Sequence, residues 1–179
     1  MRALMFPIFL MLFFTSAHAN AQATSGYYLF EAMNSRKCAH VQAALQTDGA
    51  TISQWECRDQ KTVDPPNYFQ WDKVNVGGEY FMLRARHSGK CAQVNGASNE
   101  NGAPITQWGC QRDRAHFHWK QTVAENRAGD PYYYIVNRAS GKCMHIHGGG
   151  SENGALITQW DCVNQSNLKW MVIRRGPID

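Results

Sequence analysis

The chain has 179 residues, of which 18 are Lys or Arg and 14 are Asp or Glu, so its formal net charge is +4 at neutral pH. The cations are scattered and form no basic stripe of the kind that nucleic-acid binding requires. After the N-terminus, no apolar run approaches the roughly 20 residues of a membrane-spanning helix. We therefore expect neither a nucleic-acid partner nor membrane insertion.

The first 19 residues have the pattern of a secretory signal peptide. Arg2 precedes a twelve-residue apolar run, and the small-residue cleavage pattern Ala-His-Ala ends at Ala19. Ala23 ends a second such pattern. The apolar run is too short to cross a bilayer, which takes roughly 20 helical residues. We predict that residues 1–19 are removed, that residues 20–26 form a short extension, and that the mature protein is secreted, either extracellular or periplasmic.

All six cysteines lie in the mature part, and they recur at one spacing, with 18 residues inside each pair. An even number of cysteines in an exported chain indicates disulfides. Six cysteines can pair in many ways, but the repeated spacing favours one bridge within each repeat. The sequence has no C-x2-C cluster of the kind that zinc and iron–sulfur sites use, so we expect no metal and no cofactor. The predicted bridges are Cys38–Cys57, Cys91–Cys110 and Cys143–Cys162.

One eleven-residue phrase, with a tryptophan two residues before a cysteine, occurs three times. It reads TDGATISQWEC at 47–57, ENGAPITQWGC at 100–110 and ENGALITQWDC at 152–162. The Asp-Gly or Asn-Gly pair in each copy is a tight-turn signal, and it leads into a strand-like segment. A second tryptophan follows each copy, and we expect it to lie in the core; these are Trp71, Trp119 and Trp170.

A repeat of about 50 residues with strands and turns predicts a solenoid, a propeller or a closed array. Three units are too few for most propellers, and the mature chain has no helical pattern of useful length. A barrel-like structure whose three repeats close on one another leaves no open sheet edge. We therefore predict an all-β fold with repeats at 27–76, 79–124 and 131–173.

Taken together, the S-x-K-C start, the repeated phrase and the closing tryptophan resemble the ricin B-type lectin repeat, which folds as a β-trefoil. The resemblance covers nearly all of the mature chain. It implies one domain over residues 27–179, four short strands per repeat and about twelve in all, one disulfide per repeat, and up to three shallow sugar pockets.

Members of that family build a pocket from an aspartate two residues after the first cysteine, an aromatic residue two before the second, and polar groups near a closing Q-x-W. The aromatic residue is retained here as Trp55, Trp108 and Trp160. The flat face of an indole fits the C–H face of a pyranose, and its N–H serves a polar edge. The other interpretation, that these tryptophans are core, is weaker because an isoleucine three residues earlier lies on the opposite strand face. The predicted core isoleucines are Ile52, Ile105 and Ile157.

The family aspartate is not retained, because its position holds His40, Gln93 and His145. Neutral amide and imidazole groups form weaker hydrogen bonds than a carboxylate, so the family's usual galactose-type preference does not carry over. We expect protonation of His145 near pH 6 to weaken a hydroxyl contact, since histidine titrates in that range.

Other parts of the family pattern also differ. The glutamine of the closing Q-x-W is replaced by Phe69, Phe117 and Leu168, while Asn167 keeps the family's usual asparagine. A second family glutamine is shifted by one residue, which turns it to the other face of the strand. We therefore expect no sugar contact from the shifted residues Gln54, Gln107 and Gln159.

The three pockets are predicted to differ in quality. The third pocket keeps the most polar and aromatic groups suited to a sugar, namely Trp160, His145 and Asn167. We expect a flexible lip made by Asn153 and residues 147–151. The second has Trp108, Gln93 and Asn95. The first has Trp55 and His40 beside an inserted Pro-Pro loop at 62–67 that we expect to reshape or block it.

These residues predict a secreted carbohydrate-binding protein, acting alone or as the adhesive subunit of a secreted complex or toxin. Its partners would be cell-surface or polysaccharide glycans, with a partner protein subunit as a further expectation. The alternative is a β-trefoil module that binds protein, as a toxin assembly subunit or protease inhibitor, and has lost sugar binding.

Catalysis and metal binding are not expected. No motif orders a nucleophile against a base, and no pair of acids recurs in the repeats, so we predict that the protein is not an enzyme. The H-x-H pairs His116/His118 and His145/His147 could each point two imidazoles to one strand face. No motif supplies a third ligand, so we assign no metal to them.

Overall fold

The computed structural model describes residues 26–57 and 65–176, which contain twelve β-strands and six short 3-10 helices. The predicted signal peptide and residues 62–64 of the Pro-Pro insertion lie outside the described residues. The strands are β1 Tyr27–Ala32, β2 Lys37–Val41, β3 Ile52–Glu56, β4 Trp71–Gly77, β5 Tyr80–Ala85, β6 Cys91–Val94, β7 Ile105–Trp108, β8 Trp119–Arg127, β9 Asp130–Asn137, β10 Cys143–Ile146, β11 Ile157–Trp160 and β12 Trp170–Arg175.

Six strands form a closed antiparallel barrel in the order β1, β4, β5, β8, β9 and β12, with β12 pairing back to β1. The other six form the hairpins β2–β3, β6–β7 and β10–β11. Single bridges join each hairpin to the next. This arrangement confirms the predicted all-β trefoil, and the closed barrel leaves no unpaired edge within its ring.

The core is built from the same positions of each repeat. Three tryptophans at the starts of β4, β8 and β12 are at most 2% exposed. Each donates its indole N–H to a backbone oxygen of the preceding hairpin, so the one polar atom of each ring is satisfied. The predictions of core tryptophans and core isoleucines are confirmed for Trp71, Trp119, Trp170, Ile52, Ile105 and Ile157.

The disulfides join the first strand of each hairpin to the last residue of the repeated phrase, and the predicted within-repeat pairing is confirmed. The bonds are Cys38–Cys57, Cys91–Cys110 and Cys143–Cys162. No cysteine of the described residues is free. Each bridge closes a short loop and is expected to stabilise the fold by about 3 kcal/mol.

The Asp-Gly and Asn-Gly pairs form turns, as predicted, but these turns lie within a longer connection between the two strands of each hairpin. A 3-10 helix, such as Gln42–Ala44, lies between the two strands of each hairpin, and the turn follows it. Each turn instead docks on the next repeat, because the N–H of its glycine donates to a backbone oxygen there. The bonds run from Gly49 to Gln107 (2.9 Å), from Gly102 to Gln159 (2.8 Å) and from Gly154 to Gln54 (2.8 Å). The positive φ of these glycines, +82° to +88°, explains the residue type.

The shifted glutamines join the repeats; we call Gln54, Gln107 and Gln159 the interlocking glutamines. All three are fully buried. The side-chain oxygen of Gln159 accepts from Ser140 Oγ at 2.7 Å. Its Nε2 donates to the carbonyls of Ser98 (2.8 Å) and Glu100 (2.9 Å) in the preceding repeat. The other two make equivalent bonds. That these glutamines make no sugar contact stays a prediction.

Candidate functional site

Each repeat presents one exposed tryptophan near the end of its hairpin. Trp55, Trp108 and Trp160 are 44%, 40% and 39% exposed, whereas the three core tryptophans are buried. The same position is thus exposed in all three repeats, although an indole is a large apolar group. We call these three the platform tryptophans.

The turn of one repeat supports the platform of the next. A Cβ placed on Gly102 would lie 3.9 Å from Cζ3 of Trp160, so the turn backbone lies close to that ring. Asn101 Oδ1 accepts from the N–H of Asp161 at 3.0 Å, just after the platform. Asp48 and Asn153 make the same contact in the other repeats. Asn153 therefore contacts the first repeat. The expectation that it forms part of a lip on the third pocket is wrong.

The third cavity has a volume of about 470 Å³ and brings together all three residues predicted for it. Trp160 lies at one wall, with its ring centroid 5.4 Å from that of His145. Asn167 Nδ2 donates to the carbonyl of Ile146 at 3.2 Å, which holds its amide beside the opening. The lining residues are Asn34, His145, His147, Gly148, Gly149, Trp160, Gln165, Ser166 and Asn167.

His145 is buried at the base of this cavity and is neutral at physiological pH. It is 6% exposed, and its Nδ1 is hydrogen-bonded to Thr158 Oγ1 at 2.8 Å. Burial, with a smaller contribution from nearby His147, lowers the pKa of His145 to about 4. The expectation that it titrates near pH 6 is therefore wrong, because the sequence pattern does not show how deeply the ring is enclosed.

The second cavity, of about 330 Å³, also collects its predicted residues. Gln93 is 4% exposed, and its Nε2 donates to Thr106 Oγ1 at 2.9 Å. This pair corresponds to the His145–Thr158 pair of the third repeat. Asn95 lies at the start of a 3-10 helix on the rim. The lining residues are Gln93, Asn95, Gly96, Trp108, Gln111, His116 and Phe117.

The first cavity, of about 510 Å³, is walled by aromatic rings. His40 stacks on Phe69 with centroids 5.0 Å apart, and its Nε2 is bonded to Ser53 Oγ at 2.9 Å. Burial lowers the pKa of His40 to about 4, outweighing the opposing effect of the Val41 backbone. The lining residues are His40, Gln42, Ala43, Ala44, Trp55, Tyr68 and Phe69. Residues 62–64 of the insertion lie outside the described residues, so blocking of this pocket stays a prediction.

Sequence reasoning missed Asn34, which completes the third cavity from a different repeat. Its Nδ2 donates to the carbonyls of Gly149 (3.3 Å) and Gly150 (3.2 Å), more than a hundred residues away in the chain. The corresponding residue of the second repeat, His87, bonds in the same way to Leu45. No local signal marks these residues, because their partners are set by how the repeats close.

The charges of the three cavities are low. None of the described residues that line them is acidic. The nearby Asp48 and Asp161 are held by Lys90 (2.6 Å) and Lys142 (2.5 Å), whose hydrogen bonds lower the pKa of both carboxyls. A ligand there would meet amides, imidazoles and hydroxyls.

The histidine pairs do not form a metal site in the described part of the chain. The rings of His145 and His147 lie 6.4 Å apart at 80° to one another, and His118 Nε2 is bonded to the carbonyl of Arg112. Among residues 26–57 and 65–176, no three metal-ligating side chains group together. Within the same ranges, no helix has the length and apolar character needed to cross a membrane.

Solved structures with this fold include both designed and natural proteins. A designed three-fold symmetric protein, ThreeFoil, is 30% identical with a TM-score of 0.72, over 82% of this chain and 97% of that one. An exo-β-1,3-galactanase from Clostridium thermocellum is 28% identical with a TM-score of 0.73; the match covers 83% of this chain and 30% of the galactanase. An earthworm R-type lectin C-half, solved with GalNAc, is 14% identical with a TM-score of 0.62 over 84% of this chain and 98% of that one, and shows the fold alone.

No curated protein matches the chain significantly in sequence. A family model does match, at residues 14–108, 67–160 and 117–177, and its description is a ricin-type beta-trefoil lectin domain-like family. These overlapping matches cover most of the chain and follow the three repeats seen in the barrel. The chain therefore belongs to the ricin-type β-trefoil lectin domain-like family.

Proposed function

We propose that the chain is an exported carbohydrate-binding protein, and that its third and second cavities hold a sugar against Trp160 and Trp108. The observation that carries the proposal is an indole about two-fifths exposed over a polar base, repeated in every repeat. An aromatic face with a few fixed polar groups suits a pyranose, which has one apolar face and a hydroxyl rim.

The chemistry of the cavities supports recognition of hydroxyl groups by neutral partners. In the third cavity these are Asn167, Asn34 and His145, and in the second they are Gln93 and Asn95. Neutral hydrogen bonds are weaker than those to a carboxylate, so each site should bind in the millimolar range, about −4 kcal/mol. Two sites on one chain would then act mainly by avidity on dense glycans.

Export is part of the same proposal. Three disulfides are typical of proteins outside the reducing cytosol. The signal peptide at residues 1–19 lies outside the described residues and stays a prediction. Two positive expectations also stay predictions, a partner protein subunit and a role in a toxin. The same holds for three expected absences: nucleic-acid binding, membrane insertion and enzymatic activity.

Replacing the platforms tests the proposal. A glycan array first identifies a ligand, and isothermal titration with that ligand then compares variants. Trp160→Ala should weaken binding at least tenfold, because stacking on the ring is lost, and circular dichroism should show that the variant remains folded. Trp108→Ala should have a smaller effect, and the double variant should no longer be retained on immobilised glycan.

The matched control is Val123→Ala, since Val123 is 60% exposed but lines none of the three cavities. Equal retention of the wild type and the double variant would contradict the assignment of the platforms. If the wild type binds no glycan at all, the alternative of a protein-binding trefoil is favoured.

A further inference from the structure

A fourth cavity, of about 410 Å³, lies on the barrel and has a different chemistry from the three platform cavities. It shares no lining residue with them. Its walls come from β1, β4, β5 and β12, so all three repeats contribute. Three of its side chains are cationic and one is acidic; the lining residues are Gly26, Tyr28, Asp72, Lys73, Val74, Arg84 and Arg174.

The acid in this cavity is already compensated. Asp72 Oδ2 lies 3.0 Å from Arg84 Nη2, and its Oδ1 lies 3.1 Å from Arg86 Nε. Two guanidinium groups therefore share one carboxylate. Neither Lys73 nor Arg174 takes part in an ion pair among the described residues, so the cavity carries excess positive charge.

Lys73 is half-buried among rings and has a neutral hydrogen-bond partner. Its Nζ lies 4.5 Å from the ring centroid of Tyr28 and 4.9 Å from that of Phe81, and it donates to Gln121 Oε1 at 2.5 Å. Burial lowers the pKa of Lys73 to about 8. Lys73 has lost much of its water and has no counter-ion within residues 26–57 and 65–176, so a nearby anion would stabilise its ammonium group strongly, because the Coulomb attraction is less screened there.

We propose that this cavity binds an oxyanion, such as sulfate or the carboxylate of an acidic sugar, between Lys73 and Arg174. The planar guanidinium of Arg174 can donate two parallel hydrogen bonds to such a group, while Lys73 supplies a point charge. The site uses none of the platform residues, so it goes beyond the proposed function and does not depend on it.

NMR of protein with ¹³C-labelled lysine tests this site directly. Sodium sulfate and sodium glucuronate are titrated separately, with ionic strength held constant by sodium chloride and with galactose as a neutral control. Bound anion favours the charged amine, so the pKa of Lys73 should rise by about one unit and saturate. Arg174→Ala should weaken the apparent affinity at least fivefold, and Lys120→Ala, which removes a lysine paired with Glu79 outside the cavity, should not change it.

A response to sulfate alone identifies a small inorganic oxyanion, and a response to both identifies the carboxylate of an acidic sugar as well; either supports the site. A Lys73 signal that stays fixed in both titrations, or that moves equally in chloride alone, overturns it. An unchanged affinity in Arg174→Ala also overturns the proposed geometry. A negative result in this titration would not change the glycan binding expected of the platform variants, so the two proposals are tested separately.

Discussion

Gln159→Ala should lower the free energy of unfolding by about 3 kcal/mol, because it leaves two backbone carbonyls and a serine hydroxyl without their buried partner. Those groups are the carbonyls of Ser98 and Glu100 and the Oγ of Ser140. Gln159→Glu should cost more, about 4 kcal/mol, since a buried carboxylate cannot donate to either carbonyl. Chemical denaturation at pH 7 measures both changes.

The matched control for this prediction is Gln165→Ala. Gln165 is exposed, so its replacement should change the free energy of unfolding by less than about 0.5 kcal/mol. If Gln159→Glu were as stable as the wild type, the interlocking glutamines would not hold the repeats together. The same test at Gln54 or Gln107 should give a similar loss, because each makes the equivalent bonds to a neighbouring repeat.

The protein should lose stability in acid between pH 6.5 and pH 4. The folded-state pKa values of His40 and His145 are lowered to about 4, mainly by burial, from 6.5. In that window the unfolded chain binds more protons than the folded one, so stability falls as pH falls. Each histidine contributes about 2 kcal/mol to the free energy of unfolding at neutral pH, after allowance for partial solvent screening. This contribution of the two histidines is lost once the pH falls below 4.

The second repeat provides the control for this pH dependence, since Gln93 occupies the equivalent position and does not titrate. Replacing both histidines, as His40→Gln and His145→Gln, should flatten the stability curve from pH 6.5 to pH 4, and Gln93→His should steepen it. Urea denaturation at half-unit pH steps measures the slopes. Parallel curves for the wild type and the double variant would mean that these rings are not buried as neutral groups.

Sugar affinity should follow the same protonation. Because His145 is neutral at both pH 7.5 and pH 5, its contribution to binding at the third cavity should be equal at these two values and fall only near pH 4. Calorimetry with one ligand at the three pH values measures this. A loss already complete at pH 5 would place the titrating group elsewhere.

The repeated positions were predictable because repetition removes ambiguity. One cysteine spacing, seen three times, indicated the correct disulfides. The tryptophan that follows each phrase was correctly assigned to the core. Both follow from the repetition of one pattern along the chain.

The contacts between repeats were not predictable in the same way. Asn34 reaches the third cavity from the first repeat, and Lys73 meets Gln121 across the barrel. The Asn-Gly turns were correctly identified as turns, yet their docking on the next repeat was missed. Each depends on residues 40 to more than 100 positions apart, whose distance is set when the barrel closes.

The three-fold repetition, the pairing of cysteines and the core position of the second tryptophan of each repeat were thus already encoded in the repeated pattern of the chain. The position of Asn34 at the third cavity, the turn that lies against Trp160 and the hydrogen bond from Lys73 to Gln121 arose from packing between repeats. Burial and electrostatics depend on what lies across the fold, and a strand pattern carries no record of that neighbour.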